Sequence, residues 1–175
     1  GSAAKSGTPE MKQYTSGEMM RTKNFYLLLA TMFFGLISYF MVSPVSQTYQ
    51  IDLGIPSAVA VSAVMLGSIV NAGARLVLPT LADKVGRIVC IKGVLIVAVI
   101  AMGVLAVSRS LAVTVAVVLM YGCYGGIMGS FPSLTSSIFG MKHTGENYGF
   151  VMFGIVFATF GAPAISGLVS SNGYE

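Results

Sequence analysis

The chain has 175 residues, of which only 9% are charged, against about 25% in ordinary soluble domains. Hydrophobic residues make up 55% and glycine fills 21 positions, with a mean hydropathy of +0.82. So few charges could not cover the core of a water-soluble domain, and ten Lys and Arg scattered among six acids form no basic stripe for nucleic acid.

In chain order, residues 1–10 carry no Met and no apolar signal core. Segment 1–24 reads as a cytoplasmic polar linker or tag remnant, continuing from something upstream. A spanning helix needs about 20 mostly apolar residues, and five runs in 25–175 meet that need. They cover 25–42, 58–81, 88–107, 111–139 (with Pro132 inside) and 148–169. No alternating pattern competes with them, so the predicted fold is all-α, a polytopic membrane helical bundle.

Orientation follows from the basic residues of the connectors. Lys5, Lys12, Arg21 and Lys23 precede span 1, Lys84, Arg87 and Lys92 surround the 2–3 connector, and Lys142 lies between spans 4 and 5. The opposite connectors hold only Arg109. The N-terminus is therefore expected in the cytoplasm of a cell (plasma or inner) membrane, with the end of the segment outside. Five spans ending at Asn172–Glu175 fit a six-helix unit without its last helix.

Four spans carry a polar or small-residue stripe at helical spacing: Thr31, Gly35 and Ser38; Ser68, Asn71 and Arg75; Tyr121, Tyr124 and Met128; Tyr148, Met152, Ile155 and Thr159. Span 3 has no polar side chain from Gly93 to Val107. Spans 1, 2, 4 and 5 are thus expected around a cavity, span 3 outside them, and spans 2 and 5 facing each other with Arg75 and Ile155 turned inward.

Arg75 is the most informative residue. It lies eight positions before Asp83, about 12 Å along a helix and near the middle of a ~30 Å core. A cation at that depth faces a cavity or a partner, and Asn71 one turn earlier can orient it. The functional reading is an anion site, since a guanidinium grips a carboxylate with two parallel bonds. The plain readings are that Arg75 snorkels to the cytoplasm or neutralises a carboxylate on another helix.

Next comes Ala82-Asp83-Lys84-Val85-Gly86-Arg87, a tight connector. Asp83 sits at the C-terminal end of its own helix, where the dipole disfavours an anion, so Arg87 or the N-terminus of span 5 near Gly145–Tyr148 should compensate it. The alternative is a solvated turn. Gly122, Gly125, Gly126 and Gly129, and likewise Gly154, Ala158 and Ala162, read as close helix packing. Cys90 and Cys123 in apolar runs read as small packing residues, and His143 stands alone. Neither a metal ligand set nor a nucleophile triad is present in this pattern, so no enzyme and no cofactor is expected.

Arg75 through Arg87, written Arg-x7-Asp-Lys-x-Gly-Arg, resembles the end of helix 8 and the 8–9 connector of the major facilitator superfamily. Phe131-Pro132-Ser133, Phe139-Gly140 and Asn147-Tyr148-Gly149 resemble helices 10 and 11 of its oxalate/formate antiporter family, relatives of the monocarboxylate transporters. The resemblance covers about 14–170. It implies that the five spans are helices 7–11 of twelve, with an N-terminal six-helix half and a last helix as partners within the bilayer. It also implies that Arg75 and Asn71 bind substrate and that Tyr124 belongs to an aromatic cage. Met128 stands where that family has a second cage aromatic, and Ile155 where oxalate carriers have a Lys. A single Arg suits a monocarboxylate better than a clamped dicarboxylate.

The expected function is therefore secondary transport of small organic anions by alternating access. Arg75, Asn71, Tyr124, Ser68, Met128 and Ile155 would line the site, and Asp83, Lys84, Gly86 and Arg87 would form a gating loop. Two other readings stay open: an efflux carrier for larger apolar compounds, and a non-transporting receptor or assembly module on the same fold.

Overall fold

A computed structural model describes residues 12–171, with side chains described through 168. Lys5, the opening segment 1–10 and Asn172–Glu175 lie outside the described residues. The chain forms α1 (Ser16–Met19), α2 (Lys23–Val42), α3 (Ser46–Asp52), α4 (Ser57–Val85), α5 (Arg87–Val107), α6 (Ala112–Phe139), α7 (Thr144–Val151) and α8 (Phe153–Ser171). The fold is all-α, with five helical segments long and apolar enough to cross a membrane, at nearly the expected boundaries.

Three departures from those boundaries matter. Span 2 runs a turn further, to Val85, so Asp83 and Lys84 lie in its last turn and Gly86 alone joins α4 to α5. Gly86 has φ +99°, a conformation that side chains with a Cβ rarely adopt. Span 5 breaks at Met152 into α7 and α8. The 1–2 connector contains α3, whose Tyr49 hydroxyl donates to the Leu105 carbonyl at 2.7 Å, tying that connector to the far end of α5.

The bundle is built around α6, which packs against α2, α4, α5 and α7. Its glycines make this possible. A Cβ at Gly125 would meet the Asn71 carbonyl, one at Gly126 the Leu78 side chain, and one at Gly129 would stand 2.6 Å from the Arg75 carbonyl. The α4 backbone therefore lies directly on α6, as small-residue packing allows in membranes. The Gly154–Ala158–Ala162 stripe does the same for α8 against α2: Ala158 and Ala162 are buried, and a Cβ at Gly154 would stand 2.8 Å from the Leu29 carbonyl.

Helix α5 packs one face, Cys90, Ile91, Val94, Ala98, Ala101 and Leu105, and leaves Ile96, Val99, Ile100 and Val107 exposed. Both thiols serve as interhelical donors at 3.6 Å, Cys90 to the Leu78 carbonyl and Cys123 to the Val94 carbonyl. Spans 2 and 5, expected to face each other, share no extensive direct packing. The main partner of α8 is α2, while α4 packs on α6, α3 and α5, because the two small-residue stripes direct each helix to a different neighbour.

Residues 12–22 are joined to the fold rather than hanging from it. The Tyr14 amide donates to the Phe139 carbonyl at 2.9 Å, and the fully buried Asn147 donates to the Tyr14 carbonyl at 3.0 Å while accepting from Ser16 at 3.2 Å. Met19 is fully buried. A capping box of Thr15 and Glu18 starts α1, and the Thr15 amide and hydroxyl hold the Glu18 carboxyl below its ordinary range.

Candidate functional site

Helix α4 has 29 residues, about 43 Å, and Arg75 lies about 15 Å from its C-terminal end by the same rise. The i,i+4 spacing brings the Asn71 side-chain oxygen under Arg75, whose Nε–H donates to it at 3.2 Å. The guanidinium carbon sits 5.7 Å from the centre of the Tyr124 ring, within cation–π range. An Arg carries five N–H donors; one is used on Asn71, and the other four meet no acceptor among the described residues. The side chain is exposed and forms no ion pair among those residues.

Around Arg75 the bundle assembles aromatic rings from two helices. Tyr39 of α2 stacks on Tyr124 of α6 with centroids 4.2 Å apart and planes 19° from parallel. Tyr121 meets Tyr39 edge-on at 5.1 Å, and Phe40 meets Tyr124 edge-on at 5.9 Å. Tyr121 lies over Gly67 of α4, where a Cβ would stand 2.9 Å from its ring, and its hydroxyl is 3.2 Å from that of Ser43. The cluster thus draws on α2, α4 and α6, and α5 supplies none of its named members.

The other predicted residues are placed as follows. Ser68 shares the exposed face of α4 and donates to its own helix at the Val64 carbonyl, 2.9 Å away. Met128 and Ile155 are half-buried against the core. The span 1 stripe is corrected. Gly35 faces Ile127 and Leu95, and Thr31 lines a groove of about 510 Å3 with Leu95 and Lys92, so both turn toward α5 and α6. Tyr39 was missed there. It lies four residues after Gly35 and four before Ser43, on the α2 face that meets Ile127, Tyr124 and Tyr121 in turn, and this spacing was the available signal.

At the end of α4, Arg87 at the start of α5 donates to Asp83 at 3.2 Å across the Gly86 junction. Of the two compensating partners expected for Asp83, Arg87 is the one present. Lys84 lies exposed beside the pair, in the last turn of α4.

The family model described as Major Facilitator Superfamily matches residues 2–163. The chain belongs to the major facilitator superfamily. It is 32% identical over 146 residues to the uncharacterized MFS-type transporter YhjX of Escherichia coli (strain K12), covering 82% of this chain and 36% of that protein. It is 28% identical over 142 residues to the oxalate:formate antiporter of Oxalobacter formigenes, covering 79% of this chain and 34% of that one. The chain spans about a third of the length of these two curated relatives. Members of this superfamily are transporters and not enzymes, and the five apolar segments agree with a multi-pass membrane protein.

Proposed function

We propose that this segment carries the anion site of a secondary transporter for small organic anions, with monocarboxylates preferred, working by alternating access. The observation that carries the reading is the state of Arg75: Nε is fixed by Asn71, the plane is backed by Tyr124, and the paired terminal N–H groups remain open. That is the edge a carboxylate meets with two parallel bonds. Ser68 would extend the polar face by two turns, while Met128 and Ile155 would provide apolar wall and no second cation. A dianion would leave one charge unpaired in a partly desolvated site, which costs several kcal/mol. The relative that exchanges oxalate and formate supports an anion as cargo.

In this proposal the basic end of the bundle is cytoplasmic, and Asp83, Lys84, Gly86 and Arg87 form a gating loop. The remaining helices of the transporter complete the cavity, and binding of the anion neutralises Arg75 so that the two sides can rock across it. The test is competition binding in proteoliposomes with the full-length transporter. Arg75→Ala should abolish binding of formate- or lactate-like anions, and Arg75→Lys should weaken it because the planar fork is lost. Tight oxalate binding that survives Arg75→Ala would overturn the proposal. Export of a bulky apolar compound with no response to Arg75→Ala would favour an efflux carrier, which the aromatic rings and the apolar Met128 and Ile155 could also serve.

A further inference from the structure

We infer that Tyr39 is a positioning residue of the anion site, so that the first span sets substrate affinity together with α4 and α6. This rests on Arg75 being the partner of the anion. Tyr39 touches no open donor of Arg75. It acts through Tyr124, with which it shares a parallel stack at 4.2 Å, and Tyr124 is the ring that backs the guanidinium.

Tyr39 is itself held from several sides. The Ser43 hydroxyl lies 3.2 Å from that of Tyr121, and the Tyr121 ring meets Tyr39 edge-on. Tyr121 in turn is fitted over Gly67 of α4. The chain of contacts therefore runs from α4 through Tyr121, Tyr39 and Tyr124 and returns to α4 at Arg75. A ring held in this way gives the guanidinium a fixed surface before the anion arrives. Without it, Tyr124 gains rotamer freedom, and the ordering of Arg75 has to be met at the moment of binding, which weakens affinity without removing a contact to the anion.

The experiment uses the full-length transporter in proteoliposomes with formate and lactate as probes. Tyr39→Leu should weaken binding about tenfold, within the range of aromatic and cation–π contacts. The loss should fall on KM rather than on kcat per folded carrier. Tyr39→Phe keeps the stack and should recover most of the affinity. On an Arg75→Lys background, where the guanidinium plane is gone, Tyr39→Leu should add less than about twofold, the non-additivity expected of residues acting as a unit. Tyr39→Met reads the same loss if the leucine variant does not insert. Unchanged affinity in Tyr39→Leu or Tyr39→Met, equal losses in the Phe and Leu variants, or a full tenfold loss retained on the Arg75→Lys background would each overturn the inference. Its failure is separable from that of the anion reading: binding indifferent to Arg75→Ala removes both, while binding lost in Arg75→Ala and untouched at Tyr39 removes only this one.

Discussion

Helices α4 and α6 lie against each other and are built to opposite ends. Half of the apolar stretch of α6 is buried, against 11% of that of α4. Helix α6 touches its neighbours on several sides through glycines and fully buried Met120, Ile127 and Phe131. Helix α4 leans on it by one face and keeps Ser68, Arg75 and Leu76 exposed. One helix is the scaffold and the other presents the chemistry. The contact between them places the Asn71 and Arg75 backbones on Gly125 and Gly129, so the side chains of the site are located by the backbone of the scaffold.

That division is most directly broken at Gly125. A Cβ there would meet the Asn71 carbonyl, a backbone group that cannot swing aside as a side chain does. Gly125→Val should therefore push α4 off α6, costing about 1–3 kcal/mol as overpacking does, and should displace Asn71 and Arg75 along with it. Thermal unfolding of the purified full-length transporter in detergent, with anion binding measured beside it, should show both losses. Gly73, on α4 with nothing within 4 Å of its Cβ position, is the control. Gly73→Ala should leave stability within about 1 kcal/mol of the parent or raise it. If both variants behaved alike, the contrast between the helices would fall.

A second, smaller effect is expected where the scaffold ends. Beyond Phe139 the chain turns through Gly140, with φ +88°, into α7, whose Asn147 is fully buried and satisfied by Tyr14 and Ser16. Asn147→Ala would leave the Tyr14 carbonyl and the Ser16 hydroxyl without that partner, a cost of about 1–3 kcal/mol for buried polar groups. Much of it should appear as local loosening. Limited proteolysis should cut within residues 12–22 sooner than in the parent, while anion affinity, set at Arg75, should change little. Equal protection of that segment in parent and variant would show that Asn147 does not hold it.

What the residues reveal in advance follows the range of the interactions. Span limits were legible because apolar runs and their breaks are local, and the Arg75–Asn71 bond was legible because i,i+4 spacing on a helix is local too. The glycines of α6 announced close packing, but not that Gly125 and Gly129 would receive the backbones of Asn71 and Arg75, since the partner of a small-residue stripe is a tertiary choice. Tyr39 was passed over for a related reason. A tyrosine on an apolar span looks like any packing aromatic until Tyr124 of another helix is brought to its face. Helix α3 and the docked segment 12–22 look like connector and linker in the sequence because both are polar, and their anchors, Leu105 for Tyr49 and Asn147 for Tyr14, lie 56 and 133 residues away.

The smallest expected change in stability sits at Asp83, and it sharpens the comparison from the side of α4. The Asp83–Arg87 pair is exposed, with 62% of the Asp83 side chain open, and such pairs contribute about 0–1 kcal/mol. Asp83→Asn should accordingly leave the melting temperature almost unmoved. It also lies about 12 Å along the helix from Arg75, beyond a Debye length at physiological salt, so anion affinity should be nearly unchanged. If the loop at Gly86 gates the carrier as proposed, the variant must show itself elsewhere, in the rate of exchange across the membrane. The measurement is uptake of labelled anion at saturating concentration beside equilibrium binding in the same proteoliposomes. Slower exchange at constant affinity and constant stability would assign Asp83 to movement. Exchange at the parent rate would make the pair an ordinary surface contact, and a fall in affinity would place the loop in the binding site, erasing the separation between the end of α4 and its middle.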